Sequence, residues 1–305
     1  MNPFGFSSID MPATPLDELL ALAQEAGYGG LELRSGPGEA ISPDLEGYQR
    51  RRLALAFSRA GVAPLALAAR LDVTAPGADG PLLAALRRHI WLTADLGARY
   101  LRVLPDVPAD PDGRAPDGGG AAVAAGARAR TERRLRAVAS LAATCGVRIL
   151  LEPHDARLGV REAAGMLGRI SAPGVGALWD VQRTHRAGEA PADVFAHLAP
   201  HLGHIQITSV RVGDDPAPAH RRAATADDLG AAVRAAVVGG YDGWFVWTYD
   251  TPRSPQSPRP AQLLAAGRDW LEQLITQAGG ATADTPRESP SCQERRSGQQ
   301  AVVHR

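Results

Sequence analysis

The chain contains no lysine: all 33 of its Lys/Arg side chains are arginine. That excludes chemistry resting on a lysine amine, such as Schiff-base aldolases, pyridoxal-phosphate enzymes and Walker-type nucleotide hydrolases. Asparagine is nearly as scarce, with Asn2 alone, while Ala, Arg, Gly and Pro are abundant; this reads as compositional bias, not adaptation. There are two cysteines, Cys145 and Cys292, neither in a CxxC pair, which argues against a disulfide framework or a Cys-based zinc site. Net charge is absent too, since 33 acidic residues balance 33 basic ones. A balanced chain lacks the basic surface that nucleic acid or an anionic membrane requires. No run approaches the ~18 uninterrupted apolar residues of a membrane helix. The opening MNPFGFSSIDMP has no basic region followed by an apolar run, so no signal peptide is evident and a cytoplasmic location is expected.

What is present is a globular profile, 45% hydrophobic and 22% charged. At 305 residues the chain fits two ordinary domains, or one α/β barrel of ~250 residues with an extension. Short apolar runs at 4–8, 30–34, 63–68, 100–104, 147–152, 176–180, 203–208 and 244–249 alternate with segments of helical period at 15–26, 45–60, 81–96, 128–144, 160–170, 192–197, 226–238 and 260–277. Many of the helical segments end in glycine, as at Gly27, Gly61, Gly97 and Gly146, which accepts the left-handed backbone that stops a helix. Strict β–α alternation implies parallel strands joined by crossovers. Eight repeats fit a closed (β/α)₈ TIM barrel of α/β class over residues 1–278, with 279–305 expected to be a disordered tail. An open doubly wound sheet is the alternative, but the first strand–helix junction lacks GxGxxG. The Pro-, Asp- and Gly-rich stretch 105–125 reads as an insertion or as a lid over the site.

In a barrel, functional side chains gather at the C-terminal ends of strands. With period two, Glu32 and Arg34 share a face of strand two, and Glu152 and His154 share a face at the end of strand five. Strand six ends at Asp180, followed by Arg183 and Arg186; strand seven carries His204 and Gln206; strand eight carries Trp247, Thr248 and then Asp250. Carboxylates and imidazole converging on one mouth suit a divalent ion such as Mn²⁺, Mg²⁺ or Zn²⁺. Trp179, Trp244 and Trp247 read as packing residues, with Trp247 alone considered as a sugar platform. The Arg-rich run 128–136 reads as an exposed helix face.

Taken in order, the segments AQEAGYGGLELR (23–34), LGARYLRV (96–103), VRILLEPHD (147–155), ALWD (177–180) with RAGE (186–189), and GGYDGW (239–244) resemble the xylose-isomerase-like barrels of the sugar phosphate isomerase/epimerase superfamily. The resemblance spans nearly all of residues 1–277. It implies one divalent metal held by Glu, Asp, His and Glu on strands five to eight. Glu152 and Asp180 match that set. Gln206 stands where relatives carry the ligand histidine, Thr248 where they carry the last glutamate, and Arg183 where a helper histidine is common. His204 or Gln206, with Asp250, are the replacements within reach of a metal.

The resemblance implies an isomerase or epimerase moving a proton within a small polyol or keto-sugar. Glu152, His154 and Asp250 are the candidate catalytic groups; Glu32, Arg34, Arg183, Arg186 and Trp247 are the candidate substrate contacts. The alternative is a degenerate barrel that binds such a ligand without turnover. A DNA-repair endonuclease relative fits least, for want of many metal ligands and a phosphate-binding face. Two carboxylates facing one pocket without a cation between them repel, so one pKa is expected to rise, and Arg183 is the candidate to supply the missing charge.

Overall fold

The computed structural model describes residues 2–104, 121–153, 158–208, 224–248 and 259–283. Eight strands, β1 (Phe4–Ser7), β2 (Gly30–Ser35), β3 (Ala63–Arg70), β4 (Tyr100–Leu104), β5 (Arg148–Leu151), β6 (Val175–Asp180), β7 (Leu202–Thr208) and β8 (Trp244–Thr248), pair in parallel in sequence order. β8 pairs back onto β1, closing the barrel. The helices are α1 (Leu16–Ala26), α2 (Gly47–Ala60), α3 (Asp79–Asp95), α4 (Ala121–Thr144), α5 (Val160–Ile170), α6 (Val181–Arg186), α7 (Pro191–Leu198), α8 (Ala226–Val238) and α9 (Pro260–Ala283). The fold is the TIM barrel expected from the alternating pattern. No helix among the described residues is long and apolar enough to cross a membrane.

Local sequence explains the elements. Along α5 the buried positions Val160, Ala163, Met166, Leu167 and Ile170 recur at helical spacing and face the sheet. Gly27, at φ +74°, adopts the left-handed backbone that ends α1, so that its N–H donates to the Gln24 carbonyl and the Tyr28 N–H to that of Ala23. Leu31, Leu33, Leu101, Val103, Ile149, Leu151, Ile205 and Phe245 point outward into the main core between sheet and helices. Their neighbours point inward, where Leu65, Ala66, Tyr100, Leu150, Leu178 and Val246 form a separate apolar floor inside the barrel.

Three expectations need correction. α6 lies outside the segments of helical period; it is short and begins directly where β6 ends, with the Asp180 carboxylate accepting from the Arg183 N–H at 3.1 Å. Arg134, within the run expected to be exposed, is buried, because α4 packs over the segment after β3. Its guanidinium bonds Asp79 and the carbonyls of Val73, Ala75 and Gly77. α9 continues past Gly279 to Ala283. Residues 284–305 of the expected tail and residues 105–120 of the expected lid lie outside the described residues.

Candidate functional site

Above the apolar floor, a second inward layer is polar. It comprises Ser7 (β1), Glu32 (β2), Arg102 (β4), Glu152 just past β5, Asp180 (β6), His204 and Gln206 (β7) and Thr248 (β8), all buried. The alternation puts them there. Tyr100 and Arg102 face inward while Leu101 and Val103 pack outward, and the same parity holds for Leu178 and Asp180.

Arg102 is the centre of this layer, and the sequence reading did not single it out. Its Nε and Nη2 donate to Glu152 Oε2 at 2.9 and 2.7 Å, and its Nη1 donates to Glu32 Oε1 at 2.9 Å. Ser7 Oγ donates to the same Glu32 oxygen at 2.7 Å. The other oxygen of Glu152 lies 2.5 Å from Arg183 Nε, and that nitrogen is 3.8 Å from Asp180 Oδ2. Arg183 is 42% exposed, so one cation is sealed in the barrel and the other reaches in from the rim.

These contacts set the charges. Burial is the largest influence on the Glu32 carboxyl and raises it; Arg102, the nearby His204 and the Ser7 hydroxyl together outweigh it and hold Glu32 at about 2 instead of 4.5. His204 Nε2 approaches Glu32 Oε2 only to 3.5 Å, longer than a hydrogen bond, so its part is secondary. Asp180 moves the opposite way. Burial and the Glu152 charge push its carboxyl up, against the pull of Arg183 and Arg102. One pKa of the two-carboxylate pocket therefore rises, as expected. Gln206 Nε2 donates to Thr248 Oγ1. Four buried atoms here have no hydrogen-bond partner among the described residues: Glu32 Oε2, His204 Nδ1, His204 Nε2 and Gln206 Oε1.

The family's metal set does not fit this arrangement. Arginines engage both oxygens of Glu152, Asp180 caps α6, and Gln206 is tied to Thr248. Among the described residues no group of three or more His, Cys, Asp or Glu side chains is placed to hold a metal ion.

The remaining candidates separate. Arg34 pairs with Glu39 at 2.8 Å and donates to the Ile9 carbonyl, so it is not the partner of Glu32. Arg186 is exposed on α6. Trp247 does not face the mouth: the parity that turns Val246 and Thr248 inward turns it outward, edge-on to Trp270 of α9 at 6.0 Å. His154 and Asp250 lie outside the described residues. A cavity of about 430 Å³ opens at the ends of β2 and β3, lined by Arg34, Ser35, Ala68, Arg70, Arg88 and His89 among others. Ala68 pairs in register with Arg34 and Arg102 on the flanking strands, so the cavity is a wing of the mouth. His89, in the middle of α3, stands in its wall. Its Nδ1 bonds the Ala85 carbonyl at 2.9 Å, while its Nε2 and the Ser35 hydroxyl have no partner among the described residues. Burial lowers the His89 pKa, so Nε2 offers a lone pair.

Solved structures share this architecture. An L-ribulose 3-epimerase superposes with a TM-score of 0.71 at 18% identity, over 95% of this chain and 100% of that one. A 3-keto-D-glucoside 4-epimerase from E. coli gives 0.66 at 16%, over 90% and 100%. A D-psicose 3-epimerase with D-tagatose from Clostridium cellulolyticum H10 gives 0.65 at 14%, over 92% and 98%. At such identities the likeness shows the fold alone. No curated protein matches the chain. The family model for the xylose isomerase-like TIM barrel matches residues 20–274, most of the barrel and its polar inner layer, and the chain belongs to that family.

Proposed function

We propose that the mouth binds a small polyol or keto-sugar and moves a proton within it, an isomerase or epimerase-type reaction. The observation that carries this reading is Asp180: a carboxyl at the mouth, raised in pKa, beside two guanidiniums. A base with a raised pKa is better matched to taking a proton from carbon near neutral pH. Guanidinium N–H groups stabilise the charge that then develops on the adjacent oxygen. The unpartnered atoms of Glu32, His204 and Gln206, with Ser35 and His89 in the wing, suit a ligand bearing several hydroxyls. Thr248, at the position of the family's last glutamate on β8, is not itself a base.

A second reading has its own support. Glu152 is clamped by two arginines and is a poor proton acceptor, which suits a barrel that holds its ligand without turnover. Incubation with D-fructose, D-tagatose, D-allulose and L-ribulose in D₂O separates the two. Deuterium entering at the carbon beside the carbonyl, lost in Asp180→Asn, supports catalysis. Binding by calorimetry without exchange selects the second reading, and neither binding nor exchange refutes both.

A further inference from the structure

We infer that Arg102 and Arg183 together occupy the electrostatic place of the divalent ion that the family's ligand set implies, so that the cation of this site is part of the polypeptide. The inference does not depend on whether the bound ligand is turned over.

Three observations carry it. The first is position. The two residues that keep the metal-ligand pattern are Glu152 and Asp180, and the two guanidiniums lie against them. Arg102 holds Glu152 Oε2 through two N–H groups, and Arg183 lies 2.5 Å from Oε1 and 3.8 Å from Asp180. The second is charge. Two guanidiniums bring the two positive charges a divalent ion would bring. Arg102 pairs with Glu32 and Glu152, and Arg183 lies against Glu152 and 3.8 Å from Asp180. A bare cation added to this layer would meet two fixed positive charges within contact distance of its would-be ligands. The third is the fate of the lost ligands. Gln206 and Thr248, at the histidine and glutamate positions, are neutral and bond to each other. The ligand losses and the arginines compensate one another.

The two guanidiniums divide the work. Arg102, buried, spends three of its five N–H donors on Glu32 and Glu152 and fixes their charge. Arg183, 42% exposed at the rim, is the one open to a carbonyl or hydroxyl oxygen of the ligand.

The test uses Mn²⁺ and calorimetry on the full chain. The unmodified protein is expected to show no saturable Mn²⁺ binding below millimolar concentration, and dialysis against EDTA should leave its melting temperature unchanged. The variant carrying Arg183→His, Gln206→His and Thr248→Glu together removes the rim cation and rebuilds the ligand set; it should bind Mn²⁺ at least about 100-fold more tightly, with a melting temperature that rises on adding the metal. Should that variant not fold, Arg183→Ala alone, a change at a half-exposed residue, should still bind Mn²⁺ measurably better than the unmodified chain. Micromolar Mn²⁺ binding by the unmodified protein overturns the inference. So does a folded variant, triple or single, that binds Mn²⁺ no better than the unmodified chain.

Discussion

Replacing Arg102 with methionine tests the buried layer most directly. The substitution keeps most of the side-chain volume and removes the guanidinium that pairs with Glu32 at 2.9 Å. Breaking a buried ion pair from one side costs about 3–5 kcal/mol, because the remaining charge stays desolvated. The Glu32 carboxyl points the same way, since Arg102 is the largest of the influences that hold it at about 2 instead of 4.5. In a chain of this size a loss of that order corresponds to roughly 10 °C in melting temperature. The pH dependence follows from the sign of the shift. Folding lowers this pKa, so the Glu32 contribution is complete above about 4.5 and fades as pH falls toward about 2. Without Arg102, burial raises the same carboxyl, and the variant is relieved by protonation as the medium is acidified. Thermal melts and urea titrations from pH 7 to pH 3 should therefore show the gap between the two proteins greatest at neutral pH and narrowing below about 4.5. A loss under about 1 kcal/mol at pH 7, or a gap that does not change with pH, would refute the reasoning.

Asp180→Asn should raise the melting temperature by about 2–4 °C, roughly 1 kcal/mol. It removes a buried carboxyl that repels Glu152 and keeps an oxygen to cap α6; a lower melting temperature would contradict the repulsion. Gly174→Ala should destabilise by about 1–3 kcal/mol in denaturant titration. A methyl group there would sit 2.1 Å from the Ala139 carbonyl oxygen, and a helix backbone cannot yield as a side-chain tip does. His89→Phe, which removes the acceptor lone pair in the wing of the mouth, should weaken sugar binding about tenfold in calorimetry with little change in melting temperature, as expected for one lost hydrogen bond. Deleting residues 284–305 should move the melting temperature by less than about 2 °C, since that sequence is poor in apolar residues.

Much of this barrel is legible in the sequence because its strands and helices are punctuated. A glycine follows α1, α2 and α3's last turn, and the next strand begins within a few residues. Glu152, Asp180 and Thr248 reveal themselves because each ends an apolar run, and Glu32 and Gln206 because they fall on the family's pattern. Arg102 does not, since it sits inside the run YLRVL and reads at first as a stray charge. A parallel strand covered by helices has no solvent-facing side, so a charge between two outward leucine-like neighbours must point into the barrel. The same parity, applied to Val246 and Thr248, turns Trp247 away from the mouth. α6 offers no such handle, because six residues are too few to display a helical period. The two-arginine clamp on Glu152 joins β4, β5 and α6, and residues 50 and 31 positions apart meet only once the barrel closes.

A cation built into the chain behaves differently from one borrowed from solution. A chelator cannot strip it, a competing metal cannot replace it, and its occupancy does not vary with the metal supply of the surroundings. Its limits are equally fixed. Guanidinium offers hydrogens but no empty orbital, so it steadies negative charge on an oxygen without accepting that oxygen's lone pair. Anchored through β4 by three hydrogen bonds to two carboxylates, Arg102 also cannot follow a moving oxygen from one carbon to the next as a loosely held ion can. A ligand of this barrel must therefore bring its oxygens to the cation, so the shape of the ligand, and not the metal content of the medium, governs what the site accepts.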